Sequence, residues 1–155
     1  MRRLSGFFLA GAILLLPAFH GDGGAYAQDQ SKALTFDGDT AILTVAIKPD
    51  KTADFEQIMA DVGAALMKSE KPERKQQAAG WKVVKSATPM KDGNIVYMHL
   101  IAPVVKGADY TILAILYEAN PDPTVQRAIF EKYRDAFAAS LGGGAFTTVV
   151  DLSKP

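Results

Sequence analysis

The chain contains no cysteine and a single tryptophan among its 155 residues. Without cysteine it can form neither a disulfide nor a thiolate site, and no lipid anchor can be attached through a cysteine. Charge of one sign is not in excess either, because 17 Lys and Arg residues balance 17 Asp and Glu residues. This balance provides no basic surface for nucleic acid. The stability of the fold must therefore come from core packing.

One hydrophobic run stands out, at the N-terminus. Arg2 and Arg3 precede an apolar stretch from Phe7 to Leu16, which is shorter than the roughly 20 residues that span a bilayer. Ala25-Tyr26-Ala27 then offers small residues where a signal peptidase cuts. We predict a signal peptide over residues 1–27, cleaved after Ala27, and a secreted or periplasmic protein with no membrane attachment once the signal is removed.

The remaining chain has the size of one domain. Cleavage removes Arg2, Arg3 and Asp22, which leaves 15 basic and 16 acidic side chains and a net charge of −1. Residues 28–39 are polar and contain glycine, so we predict a flexible leader there. A single domain is expected over residues 40–152.

The hydrophobic pattern predicts four strands. Apolar residues alternate with a period of two over Thr40 to Lys48, Trp81 to about Thr88, Ile95 to about Val104, and Phe146 to Leu152. The sequence Lys91-Asp92-Gly93-Asn94 favours a tight turn, so the second and third strands are expected to form a hairpin.

Apolar residues at a spacing of three and four predict four helices. They cover Thr52 to about Ser69, Glu73 to Ala79, residues 109–119, and Asp122-Pro123 to Leu141. Gly80 is expected to end the second helix in the left-handed conformation, and Gly142-Gly143-Gly144 to end the last. Residues 109–119 also have strand propensity, so their assignment stays open between helix and strand. The mixed charges of Lys68 to Lys75 indicate a solvated surface.

This order of elements predicts an α+β fold, a ferredoxin-like βαββαβ domain with extra short helices, in which helices cover one face of an antiparallel sheet. We expect alternate residues of the first and third strands to face the helices, namely Leu43, Val45, Ile47, Val96, Met98 and Leu100. The pleat then places a second set on the free face: Ile42, Thr44, Ala46, Trp81, Val83, Tyr97, His99 and Ile101. Such a surface is too apolar for open water, so it predicts a partner.

Two segments carry a resemblance to known proteins. Residues 76–83, Gln-Gln-Ala-Ala-Gly-Trp-Lys-Val, and residues 102–110, Ala-Pro-Val-Val-Lys-Gly-Ala-Asp-Tyr, look like segments of small secreted bacterial proteins. Over residues 40–151 the chain resembles the dimeric α/β-barrel superfamily, which includes antibiotic-biosynthesis-type monooxygenases. The resemblance implies a homodimer in which two sheets pack face to face around a cavity. It implies no particular reaction, and no catalytic residue can be carried over.

His99 is the candidate catalytic residue, because it is the only histidine left after removal of the signal. On the free face it could accept a proton near neutral pH or bind a haem or metal, or it could be a structural histidine within the sheet. Trp81 could stack on a planar ligand and Tyr97 could supply a hydroxyl. Edge packing of Trp81 and burial of Tyr97 in a dimer interface are the alternatives. No cluster of histidines or carboxylates accompanies them in the sequence, so we predict neither a metal site nor a cofactor.

Three further residues complete the predicted ligand site. Thr44 shares the free face, while Lys106 and Tyr110 lie in or just after a glycine-containing loop that could cover one mouth of the barrel. Asp109 of the same loop is expected to cap the helix that follows it.

The leading hypothesis is a homodimer that binds a small apolar or aromatic molecule between its sheets, through the predicted ligand site. The first alternative is a cofactor-independent, monooxygenase-like enzyme in which His99 moves a proton. The second alternative is an assembly module in which side chains fill the space between the sheets.

Overall fold

The computed structural model describes residues 33–153. The predicted signal peptide, its cleavage site at Ala27 and residues 28–32 of the leader lie outside the described residues. Residues 33–153 form an α+β domain with the elements β1 (Thr40–Ile47), α1 (Thr52–Lys68), α2 (Pro72–Gly80), β2 (Trp81–Lys85), β3 (Ile95–Ile101), α3 (Ile112–Ala119), α4 (Pro123–Ala136) and β4 (Phe137–Phe146). A 3-10 turn over Pro49–Lys51 leads into α1. No helix in this part of the chain is both long and apolar enough to cross a membrane.

The four strands form one antiparallel sheet in the order β2-β3-β1-β4, so β2 and β4 are its edges. The helices pack on one face, where Phe55 of α1 shares a core cluster with Val45, Ile47, Tyr97 and Ala136. A second cluster joins α1 to α3 and contains Ile58, Val62, Leu66, Ile115 and Leu116. Burial of each large apolar side chain in these clusters contributes about 1.5–3 kcal/mol.

Most of the predicted elements are confirmed. The strand β1 and the helices α1 and α2 begin and end within about two residues of the prediction, and residues 109–119 contain the helix α3. The helix α4 begins as predicted, because Asp122 Oδ1 accepts the Thr124 N–H at 2.7 Å and Pro123 occupies the first turn. The hairpin strands are shorter than predicted, since β2 ends at Lys85 and β3 at Ile101.

The prediction for the C-terminal part is wrong. The helix α4 ends at Ala136 rather than Leu141, and the residues that follow form β4. Gly142-Gly143-Gly144 therefore lie within a strand and do not terminate a helix. The predicted strand from Phe146 to Leu152 is not present, because β4 ends where that strand was expected to begin.

Side-chain packing and close backbone contacts explain why β4 begins directly after α4, at Phe137. The Phe137 ring contacts Phe55 and Tyr133, at centroid distances of 6.0 and 4.7 Å, so the chain reaches the core at the first residue of β4. The glycines suit this strand because Gly142 has a φ of +91° beside an irregular pairing with β1. At Gly143 a Cβ would overlap the backbone of β1.

The expected orientation of β3 is also wrong. Tyr97 lies opposite Val45, and His99 lies opposite Leu43. Directly opposite residues of antiparallel strands project to the same face, so Tyr97 and His99 face the helices. Trp81 and Val83 also face the helices, because they lie opposite Ile101 and His99 of β3. Alternation alone could not choose between the two faces of β3, because both sets of residues are apolar.

The other face of the sheet, which we call the open face, carries Thr40, Ile42, Thr44, Ala46, Lys82, Val84, Val96, Met98 and Leu100. Ala46 is buried, and the other side chains of this set are half-buried or exposed in the single chain. The core clusters of residues 33–153 lie on the helix side. The open face is therefore a mostly apolar surface, with Lys82 at the β2 edge, that the described residues leave uncovered.

Gly80 ends α2 for a different reason from the one expected. It is not among the glycines with positive φ, so the left-handed conformation does not explain it. A Cβ on Gly80 would lie 2.6 Å from the Pro103 carbonyl oxygen. The Gly80 carbonyl also accepts the Ala102 N–H at 2.8 Å. The absent side chain thus allows the segment after β3 to pack against the end of α2.

We expect Gly80→Ala to lower the free energy of unfolding by about 1–3 kcal/mol, because the added methyl group overpacks this contact. Gly63→Ala is the control, since a Cβ at Gly63 meets no atom within 4 Å and alanine is favoured over glycine in a helix by about 1 kcal/mol. Urea denaturation measures both variants. Equal stabilities would contradict the close approach at Gly80.

Candidate functional site

Trp81 and His99 form a hydrogen-bonded pair on the helix side of the sheet. The indole Nε1–H donates to His99 Nδ1 at 3.2 Å, and the ring centroids are 5.8 Å apart. His99 is only 2% exposed, and this burial lowers its pKa from 6.5 to about 4. The imidazole is therefore neutral at neutral pH, and its acceptor nitrogen holds the indole in one orientation.

Tyr97, which precedes His99 by two residues in β3, forms a second polar group with Glu56 and Lys85. Its hydroxyl donates to Glu56 Oε1 at 2.5 Å, and Lys85 Nζ donates to the same oxygen at 2.9 Å. The Tyr97 hydroxyl first, and Lys85 second, lower the pKa of Glu56. Burial, followed by the bond to Glu56, raises the pKa of Tyr97. An ionised carboxylate and a protonated phenol thus connect α1 to β2 and β3.

An apolar groove of about 260 Å³ lies between α1, α2 and β2. It is lined by Gly63 and by apolar side chains, namely Met59, Val62, Leu66, Met67, Ala78, Trp81 and Val83. Along α1 the residues Glu56, Met59, Gly63 and Met67 recur at helical spacing, so Glu56 lies at one end of this stripe. Lys85 follows Val83 on the same face of β2. The groove therefore has an apolar floor beside Trp81 and a charged pair toward one end.

Gly63 and Met67 open the groove along α1. Gly63 leaves space where a side chain would project, since an added Cβ meets nothing within 4 Å. Met67 lines the groove and is 60% exposed, so it is not part of the core. Methionine is flexible and adapts to ligands of different shapes.

A buried polar network connects α2, which forms one side of the groove, to α3 and to the loop before it. The Arg74 guanidinium donates to Gln77 Oε1 at 3.0 Å, to the Asp109 carbonyl at 2.7 Å and to Glu118 Oε2 at 2.9 Å. Arg74 is 8% exposed, so the segment Lys68 to Lys75 is not simply a solvated surface. Because Trp81 directly follows α2, this network also positions the indole.

Tyr110 packs against Trp81, and Asp109 binds the backbone next to it. Tyr110 is buried, its ring centroid lies 5.4 Å from that of Trp81, and its hydroxyl accepts the Val105 N–H at 2.8 Å. Burial raises the pKa of Asp109, but hydrogen bonds from Thr111 and Leu34 outweigh it and lower the pKa overall. Asp109 thus fastens residues 34 and 111 rather than capping α3, whose N-cap position is Thr111.

Two predicted site residues lie away from this group. Thr44 pairs with Met98 on the open face, on the opposite side of the sheet from His99. Lys106 is exposed and lies 3.9 Å from an Asp39 oxygen. The structure therefore brings together Trp81, His99 and Tyr110, with Tyr97 near them.

Sequence reasoning missed Glu56, Lys85, Arg74 and the groove itself. One signal was present, because Gly63 interrupts an otherwise regular apolar helix, and an isolated glycine there often has a packing or functional reason. The partners of Arg74 come from separate segments and give no local pattern.

No group of three or more metal-ligating side chains of the His, Cys, Asp or Glu type occurs among residues 33–153. No protein-family model, curated protein or solved structure matches the chain. The function is therefore inferred from the geometry and chemistry of the groove.

We expect the burial of His99 to make the protein less stable in mild acid. Between pH 6.5 and 4 the unfolded chain binds a proton at this site that the folded chain does not bind. The free energy of unfolding then falls as the pH is lowered, by up to about 1.4 kcal/mol per pH unit and about 3 kcal/mol in total. Urea denaturation across this range would show it.

His99→Gln is the matched variant, because its amide oxygen can still accept from Trp81 but it does not titrate. It should lose this part of the pH dependence while keeping the contributions of the carboxylates. If the native protein and His99→Gln show parallel profiles from pH 4 to 6.5, His99 is not buried as described.

Proposed function

We propose that this protein binds a small apolar or aromatic molecule in the groove beside Trp81. The observation that supports the proposal most strongly is the half-buried indole lining an apolar groove of about 260 Å³ while its N–H is bonded to a buried histidine. This volume lies just below the range of roughly 300–1,000 Å³ that is usual for drug-sized ligands. The groove therefore suits a small ligand that stacks or packs against the indole.

The geometry favours binding over proton transfer by His99. A general base works best when its pKa is close to the operating pH, whereas burial lowers the pKa of His99 to about 4. Its Nδ1 also accepts the Trp81 indole N–H. We therefore assign His99 to positioning the indole, and the monooxygenase-like enzyme becomes the second hypothesis.

We also propose that the domain is a ferredoxin-like subunit of a homodimer of the dimeric α/β-barrel type. The strand order β2-β3-β1-β4 with helices on one face supports the subunit fold. The open face supports the dimer, because Ile42, Met98 and Leu100 form an apolar surface that a second sheet would cover. Thr44 would then lie in the contact between sheets, away from the groove.

Secretion or periplasmic export is part of the same proposal. It rests on the basic start, the short apolar stretch and the small residues before the expected cleavage after Ala27.

The groove can be tested with N-phenyl-1-naphthylamine, an apolar aromatic probe. Trp81 is the only tryptophan, so energy transfer to the bound probe has a single donor beside the groove, and the variants below assign the binding site. Gly63→Leu should weaken binding at least tenfold, because the new side chain projects into the groove. Ala64→Leu adds the same side chain at an exposed neighbouring position and should bind like the native protein.

Absence of probe binding by the native protein would contradict the proposal. So would equal affinities of the native protein and Gly63→Leu, since the probe would then bind elsewhere.

The dimer can be tested by native mass spectrometry of the protein secreted with its own leader. We expect a dimer whose subunits begin after Ala27. Met98→Lys should weaken it at least tenfold, because a charge would enter the contact between sheets. Val125→Lys, which changes an exposed apolar residue of α4, should leave it unchanged. A native monomer, or a dimer unaffected by Met98→Lys, would contradict this proposal.

A further inference from the structure

The segment after β4, residues 147–153, exposes an unusual amount of apolar side chain. We call it the C-terminal arm. Val149 and Leu152 are each 95% exposed, and Val150 is 72% exposed. The Thr148 N–H donates to Asp39 Oδ2 at 3.2 Å, which holds the start of the arm next to β1. Apolar side chains beyond that point lie in water, which is unfavourable for a soluble protein and marks a contact surface.

The sequence of the arm has the alternation of a strand. If β4 continued beyond Phe146, the period of two would place Thr148, Val150 and Leu152 on the same side as Phe146. Phe146 pairs with Thr40 and so belongs to the open face. Within the part of the chain that the structure describes, the arm has no strand beside it in its own sheet, because β1 begins at Thr40. An extended arm therefore projects past its own sheet, with Val150 and Leu152 on the side of the open face.

β4 is an edge strand, so backbone groups on its outer side can pair with an extended segment of another chain. This strand has ten residues, Phe137–Phe146, without a charged residue or proline. Long edge strands usually carry such residues to prevent pairing with other chains. The opposite edge, β2, is protected in this way, since it has five residues and includes Lys82 and Lys85. The first half of β4 contains two irregular pairings with β1, whereas residues 142–146 pair with it regularly. Among residues 33–153, no strand pairs with the outer side of residues 142–146.

We propose that the C-terminal arm of one copy pairs with the edge of β4 in a second copy, and that the arm of the second copy pairs with β4 of the first. The arm and the edge belong to one continuous stretch of chain, so a single two-fold axis satisfies both contacts and closes the assembly at two subunits. The exchange gives the arm backbone hydrogen bonds and covers Val150 and Leu152. This inference rests on the proposed homodimer, and it identifies the segment that joins the two sheets.

Deletion of residues 149–155 tests the exchange in solution. It leaves β4 and the bond between Thr148 and Asp39 in place, and circular dichroism would verify the fold. We expect the dissociation constant of the dimer, measured by analytical ultracentrifugation, to rise at least tenfold. Val125→Asp is the control, because it alters an exposed valine on a helix, and it should have no effect.

The outcomes separate the two proposals. If the native chain is a monomer, the homodimer and the exchange are both wrong. If the native chain and the shortened chain form equally stable dimers, only the exchange is wrong.

A disulfide test remains informative if the shortened chain does not fold. The chain has no cysteine, so any disulfide must form between introduced residues. Copies with Leu152→Cys, mixed with copies carrying Leu141→Cys in β4, should form a disulfide-linked pair under mild oxidation. Copies with Leu152→Cys mixed with Val125→Cys copies should not. Absence of the first product, or equal yields of both, would overturn the exchange.

Discussion

The register of β1 and β3 is the constraint on which the rest of the structure depends. Because Val45 lies opposite Tyr97 and Leu43 opposite His99, the aromatic residues of β3 project under the helices. The pairing of Val83 with His99 then brings Trp81 to the same side. A shift of one residue would move all of these side chains to the open face. The site is therefore built from one sheet face and the helices that cover it.

Two polar groups connect the secondary-structure elements that form the groove, whereas the side chains that line the groove are apolar. Glu56 ties α1 to Tyr97 and Lys85, and Arg74 ties α2 to α3 and to the loop that carries Asp109. The Arg74 network is buried, so breaking it would leave an unpartnered polar group in the interior and would be costly. Glu56 and Lys85 are exposed, so their ion pair contributes less. The walls are thus fixed before a ligand arrives, which lowers the cost of binding.

Much of the fold can be predicted from local patterns, but the faces and the site cannot. Asp122-Pro123 and the apolar stripe of α1 gave correct helices because capping and periodicity are local. The end of α4 was missed because Phe137 leaves the helical pattern to pack on Phe55, a contact 82 positions away in the chain. Trp81, Tyr97 and His99 are expected from the sequence to share one face of the sheet, and the strand pairing does place them on one face. That face is the helix side rather than the open face, because the choice between the two faces depends on strand pairing, which alternation does not determine.

The most direct test is to locate the bound probe by NMR. With N-phenyl-1-naphthylamine added to the isotopically labelled protein, nuclear Overhauser effects identify the protons that lie within about 5 Å of the ligand. The account predicts contacts to the Trp81 indole, the Gly63 Hα protons and the Val83 methyl groups. Contacts to Met98 and Leu100 instead would place the ligand on the open face and contradict it.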